Sequence, residues 1–201
     1  MKTPSCSPLY VDDVRRRAAQ MDPDMYLASL FARPDRMWAV WTMMAFYADT
    51  VLIMDRVSDA RLGLIRLQWL WDQVDAALPG HHEPAVKEQG DKLAFPVLCL
   101  LVEGVQAGYI DRNDVTALLT MAEDLLRKAL INTKIDGDRE ESRLLLWNIL
   151  GRVAGGESAF SRARGVIGGM RARYLGIVPF MALRVWFTVR FGLYKGHASR
   201  V

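Results

Sequence analysis

Residues 37–56 read MWAVWTMMAFYADTVLIMDR, and this stretch decides the fold. At helical spacing Met37, Val40, Trp41, Met44, Ala48, Val51 and Leu52 fall on one face, while Trp38, Met43, Phe46, Tyr47 and Met54 cover the other side. A helix that is apolar nearly all round needs neighbours on every side, so it belongs at the centre of a bundle. Arg33-Pro34-Asp35 opens it, and the pattern carries it to about Arg56.

Working outward, helix start signals recur in both directions, whereas alternating apolar runs bounded by tight-turn dipeptides are nearly absent. The reading is all-α. Ser7-Pro8 and Asp22-Pro23 each place proline at a first helical position and open helices reaching about Gln20 and Ala32. Downstream, Ser58 is expected to cap a helix to about Leu78, with Leu62, Ile65 and Trp69 inward and Arg61, Gln68, Asp72 and Asp75 outward. Pro84 opens a further segment that passes a kink or break at Pro96 and ends near Tyr109, and Asp111 caps the next helix, to about Ile131. A polar loop over 132–138 precedes a helix from Arg139 to Ala154, stopped by Gly155-Gly156; further helices are expected from Ser158 and over 178–193.

With 201 residues and 51% hydrophobic content, one domain spanning 1–201 is expected. Cys6 and Cys99 have no metal-ligand spacing and read as reduced thiols of a cytosol-like compartment. No cleavable leader and no clean membrane span are expected. The net charge of +3 conceals an asymmetry: all 23 acidic residues lie at or before Glu157, and eight basic residues follow it without a carboxylate. Region 158–201 is therefore basic, and over 178–195 it is also aromatic and amphipathic, with Arg184, Trp186, Arg190 and Lys195 as candidates for a membrane surface. The bland alternative is a last core helix with exposed arginines. Nucleic acid is not expected as a partner, because the aromatics sit among aliphatic residues rather than among the charges.

Three blocks carry a resemblance. Tyr26-Leu27-Ala28-Ser29-Leu30-Phe31-Ala32 is followed by Met44-Ala45-Phe46-Tyr47; Val57-Ser58-Asp59 by Gly63-Leu64-Ile65-Arg66-Leu67-Gln68-Trp69; and His82-Glu83-Pro84-Ala85-Val86 by Ala107-Gly108-Tyr109-Ile110. In this order they resemble the squalene/phytoene synthase family over roughly residues 20–130. The resemblance implies an isoprenoid-synthase bundle, here truncated. In active members it implies two Asp-rich motifs whose carboxylates hold magnesium against a substrate diphosphate. On the substrate side it points to Arg66, Gln68 and Tyr47.

The acids of this chain depart from that pattern. Shared coordination needs carboxylates at i and i+3 or i+4, but the first-motif region holds Asp49 and Asp55 with Leu52 and Ile53 between them. On a continuous α-helix these aspartates lie about 120° apart. Pairing with arginines such as Arg56, Arg61 or Arg66 is the plainer reading, and Asp72 with Asp75 reads as a solvated stripe. Around Asn148 the second motif would carry Arg152 and Gly156 where the enzymes carry acids. The expectation is a non-catalytic relative with no metal and no cofactor, in character like the assembly factors of respiratory complex I. It is expected to be cytoplasmic and peripheral on the inner membrane face, with anionic lipid, a prenyl chain or a respiratory-complex subunit as partner. The alternative is a divergent magnesium-dependent prenyltransferase using Asp49, Asp55 and Asp59.

Overall fold

The computed structural model describes residues 4–57, 59–78, 95–131 and 136–155, together with 160, 162, 163, 165 and 166. Among these every regular element is helical: α1 (Pro8–Met21), α2 (Pro23–Ser29), α3 (Met37–Thr50), a 3-10 helix (Val51–Asp55), α4 (Ala60–Ala77), α5 (Pro96–Gln106), α6 (Arg112–Leu130) and α7 (Asp136–Val153). Three starts follow the cap chemistry of the sequence. Ser7 accepts from the Leu9 amide, Asp22 from the Asp24 and Met25 amides, and Asp111 from the Asn113 amide.

α3 lies at the centre, packed by α1, α2, α5, α6 and α7. Together with the 3-10 helix it forms a 19-residue stretch of mean hydropathy 1.4, enough to cross a bilayer by length, yet 83% of its most apolar window is buried inside the bundle. Most of its side-chain polar atoms find partners, as burial requires. Trp38 Nε1 donates to the Asp35 carbonyl, Trp41 Nε1 to Ser29 Oγ, and the Thr42 and Thr50 hydroxyls to carbonyls four residues back.

Several boundaries differ from the sequence reading. The long helix begins at Met37 rather than Arg33 and tightens to 3-10 winding after Thr50, whose hydroxyl also reaches the Tyr47 carbonyl. α4 is capped by Asp59, which accepts from the Arg61 amide; Ser58 lies outside the described residues. Of the kink or break expected at Pro96, the structure has the break: α5 starts there after an extended Phe95, and the expected start at Pro84 lies outside the described residues. α7 begins at Asp136, inside the expected loop.

The inward face of α4 is a correction. Leu62, Ile65 and Trp69 are 54%, 68% and 49% exposed, and the buried stripe is Gly63, Leu67, Leu70, Val74 and Ala77. Gly63 is the cause: a Cβ there would stand 2.5 Å from Leu126 Cδ2, so α6 approaches the glycine backbone and fixes which side is inside.

The cysteines are also a correction. Cys6 and Cys99 form a disulfide that joins the segment before α1 to the first turn of α5, and the Glu103 carboxylate accepts the Ser5 and Cys6 amides beside it. The reading as reduced thiols rested on the absence of metal-ligand spacing and of a multi-cysteine disulfide framework, neither of which excludes two thiols brought together by folding. Disulfides are rare in a reducing cytosol, so the cysteines no longer support a cytosol-like compartment.

Of the helix expected from about Ser158, residues 160, 162, 163, 165 and 166 are described and are helical, whereas the helix expected over 178–193, with Arg184, Trp186 and Arg190, and Lys195 beyond it, lie outside the described residues. In the first of these, Phe160, Ala163 and Val166 are buried, with Phe160 against Trp147 at 5.3 Å between ring centroids.

Gly63→Leu should lower stability by about 2–3 kcal/mol, since the added carbons overpack the α4–α6 contact. Urea unfolding reads this; a change within ~0.5 kcal/mol would show that the close approach is not a constraint.

Candidate functional site

The acids singled out in the sequence gather where α3 ends. Asp49 sits in the last turn of α3 and is buried, because an apolar helix surrounded by neighbours has no wet side to offer it. A lone buried carboxylate is costly, so it needs cations. Asp49 Oδ1 accepts from Arg17 Nη2 of α1 and from Arg56 Nη1, the latter at 3.0 Å. Asp49 Oδ2 is buried without a hydrogen-bond partner. Of the pairings expected for Asp49, the one with Arg56 is present, and Arg17 was not legible because it comes from another helix.

Asp55 ends the 3-10 helix on the surface and pairs with Arg139 of α7, 84 residues away, at 2.8 Å. The angular argument from the sequence does not survive the change of winding. A 3-10 turn holds 3.0 residues, which rotates Asp55 back toward the side of Asp49. Axial rise and partners keep the two acids apart: about 11 Å along the helix, with Arg17 and Arg56 on Asp49 and Arg139 on Asp55. Asp59, the third candidate acid, spends its carboxylate on capping α4.

Arg17, Gln20, Met21, Ala48, Leu52, Asp55 and Arg56 line a small cleft of about 180 Å³ beside Asp49. Magnesium, which the resemblance implies for active relatives, takes near-octahedral oxygen ligands. Here two guanidinium groups occupy the approach to the buried carboxylate, so the described residues do not fit the ion. Among the described residues no group of three histidines, cysteines or carboxylates is placed to hold a metal.

The substrate-side candidates do not converge. Tyr47 is buried between α3 and α7, its hydroxyl 2.8 Å from Ser142 Oγ, which donates in turn to the Arg139 carbonyl. Arg66 and Gln68 stand on the exposed face of α4, and Gln68 donates to Asp72 at 3.0 Å. Arg143 was also missed by the sequence reading. It donates twice to Asp22 Oδ2, so one aspartate caps α2 with one oxygen and holds α7 with the other.

Burial raises the Tyr47 pKa above its usual 10.0, with the Ser142 hydrogen bond partly opposing. A folded pKa raised in this way gives stability that is fully present below the unfolded value of about 10 and lost as pH rises through the folded value.

The family model described as squalene/phytoene synthase matches residues 18–142 of this chain. Neither a curated protein nor a solved structure matches it. The matched span runs from the end of α1 into α7 and contains Asp49, Asp55, Asp59, Tyr47, Arg66 and Gln68.

Two substitutions test this account. Asp49→Asn should cost about 2–3 kcal/mol, below the figure for a fully buried pair because Arg56 is half-exposed. Acids crowded to receive a metal are commonly a stability burden, so a stabilised Asp49→Asn protein in denaturant unfolding would reject the arginine clamp. Tyr47→Phe should cost about 1 kcal/mol at neutral pH and flatten the loss of melting temperature above pH 10; an unchanged alkaline profile would assign that loss elsewhere.

Proposed function

The chain belongs to the squalene/phytoene synthase family, and from that premise we propose that it is a non-catalytic member acting at a membrane surface as an assembly or lipid-binding factor. In character it stands with the branch that assembles respiratory complex I. The observation that carries this reading is the neutralisation of the family's first acidic region. Asp49 is clamped by Arg17 and Arg56, and Asp55 is paired to Arg139. Diphosphate departure needs cations held by converging carboxylates, and these carboxylates are already engaged by fixed guanidiniums.

The membrane part of the proposal rests on charge. After Glu157 the sequence carries eight basic residues and no acid, with Arg184, Trp186, Arg190 and Lys195 as the interfacial set. Cations near an anionic leaflet are attracted at about 1 kcal/mol each, and tryptophan prefers the headgroup level. The localisation we propose is peripheral, on the inner membrane face. A prenyl or lipid tail, or a respiratory-complex subunit, is the proposed partner.

Incubation with geranylgeranyl or farnesyl diphosphate and magnesium should release no pyrophosphate above background. Turnover that vanishes in Asp55→Asn would instead establish a divergent prenyltransferase. In parallel, the full chain should co-sediment with vesicles containing anionic lipid and a chain ending at Glu157 should not. Equal recovery of both in the supernatant would remove the membrane role.

A further inference from the structure

A second cleft, of about 450 Å³, opens at the far end of α3 from Asp49, where the turn before α6 meets the last turn of α7. Its charged lining is Arg36, Asp111, Arg112, Asp114 and Arg152. From this geometry we infer that the cleft binds a phosphate monoester group, with Arg36 and Arg112 as its donors.

The two acids of the cleft are already engaged. Asp111 caps α6, accepting the Asn113 amide at 2.8 Å, and Asp114 accepts from Arg152. Two cations are left over. Arg112 has a 3.5 Å contact with Asp75, both side chains well exposed, a pair that solvent screens and an anion can displace. Arg36 makes no ion pair with a carboxylate among the described residues, and its Nε is buried without an acceptor. A buried guanidinium N–H left unpaired is unfavourable, so the site gains by receiving an oxygen.

Arg36 is also held in place. Its guanidinium carbon lies 4.8 Å from the centroid of the Tyr109 ring, and Tyr109 packs against Trp38. Its side chain runs beside Gly155, where a Cβ would stand 2.8 Å from Arg36 Cδ. Gly155 has φ +69°, a left-handed conformation that favours glycine. A guanidinium fixed by stacking loses little freedom when it binds.

The start of α6, a helix of 19 residues, adds its positive end to the same cleft. Two guanidiniums from different elements span more oxygens than a planar carboxylate presents, whereas a phosphate monoester offers three around a tetrahedron and carries nearly two charges at pH 7. The ester could come from a free metabolite or from a lipid headgroup, and the chemistry at the arginines is the same.

The test uses the full chain. Calorimetric titration with inorganic phosphate and with glycerol 3-phosphate probes the free group. Sedimentation with phosphatidylcholine vesicles carrying phosphatidic acid, compared with vesicles of matched charge carrying phosphatidylglycerol, probes the headgroup. Saturable binding is expected in at least one arm, weakened about tenfold in Arg36→Gln and in Arg112→Gln, with Arg36→Lys intermediate because it keeps the charge and loses the fork. Binding in the soluble arm identifies a free ester, and an excess on phosphatidic acid alone identifies a lipid. Because Arg112 is on the surface, its variant decides the matter if Arg36→Gln fails to fold by circular dichroism. No binding in any arm, or binding that a folded Arg112→Gln leaves unchanged, overturns the inference. Neither outcome bears on catalysis at Asp49, which the pyrophosphate assay reads separately.

Discussion

A carboxylate at the end of an otherwise apolar, fully surrounded helix sets the terms for the rest of this molecule. Asp49 cannot reach bulk water from α3, so α1 must bring Arg17 to it and the chain after the 3-10 helix must turn Arg56 back. The same pairing that makes burial tolerable engages Oδ1 and sets two guanidinium charges where a dication would have to approach. Fold and chemistry are thus coupled at one residue. The interaction that lets the core close is the one that argues against metal chemistry there.

What the sequence disclosed follows from local physics. All-round apolarity placed α3 at the centre, and side chains adjacent to a helix start announced three caps, because both signals are carried by neighbours along the chain. What it concealed depends on contacts between distant segments. Arg17 reaches across 32 positions and Arg139 across 84, and no periodicity encodes either pairing. The cystine was hidden for the same reason, its two sulfurs being 93 positions apart in sequence.

α4 shows a subtler failure. Reading amphipathicity from the largest side chains put Leu62, Ile65 and Trp69 inside, but the packing is decided by the smallest residue, Gly63, which lets α6 come close on the other side. Small residues mark a close helix contact without adding to an apolar stripe. The candidate site was legible in part. Its acids could be named, but the angle between Asp49 and Asp55 was computed for an α-helix, and the winding tightens at Val51. Arg66 and Gln68, named with Tyr47 on the strength of the resemblance, lie on the solvent side while Tyr47 lies in the core.

The bond between Cys6 and Cys99 divides the molecule in a way that no packing diagram reveals. It turns everything from the approach to α1 through the first turn of α5 into a covalent ring, and leaves α6 and α7 on an open tail. When the oxidised protein denatures, the ring is denied the extended shapes that the tail explores, so ordering it costs less entropy. The two regions therefore begin folding from different degrees of freedom. The helix that supplies Arg139, Arg143 and Arg152, α7, belongs to the less constrained one.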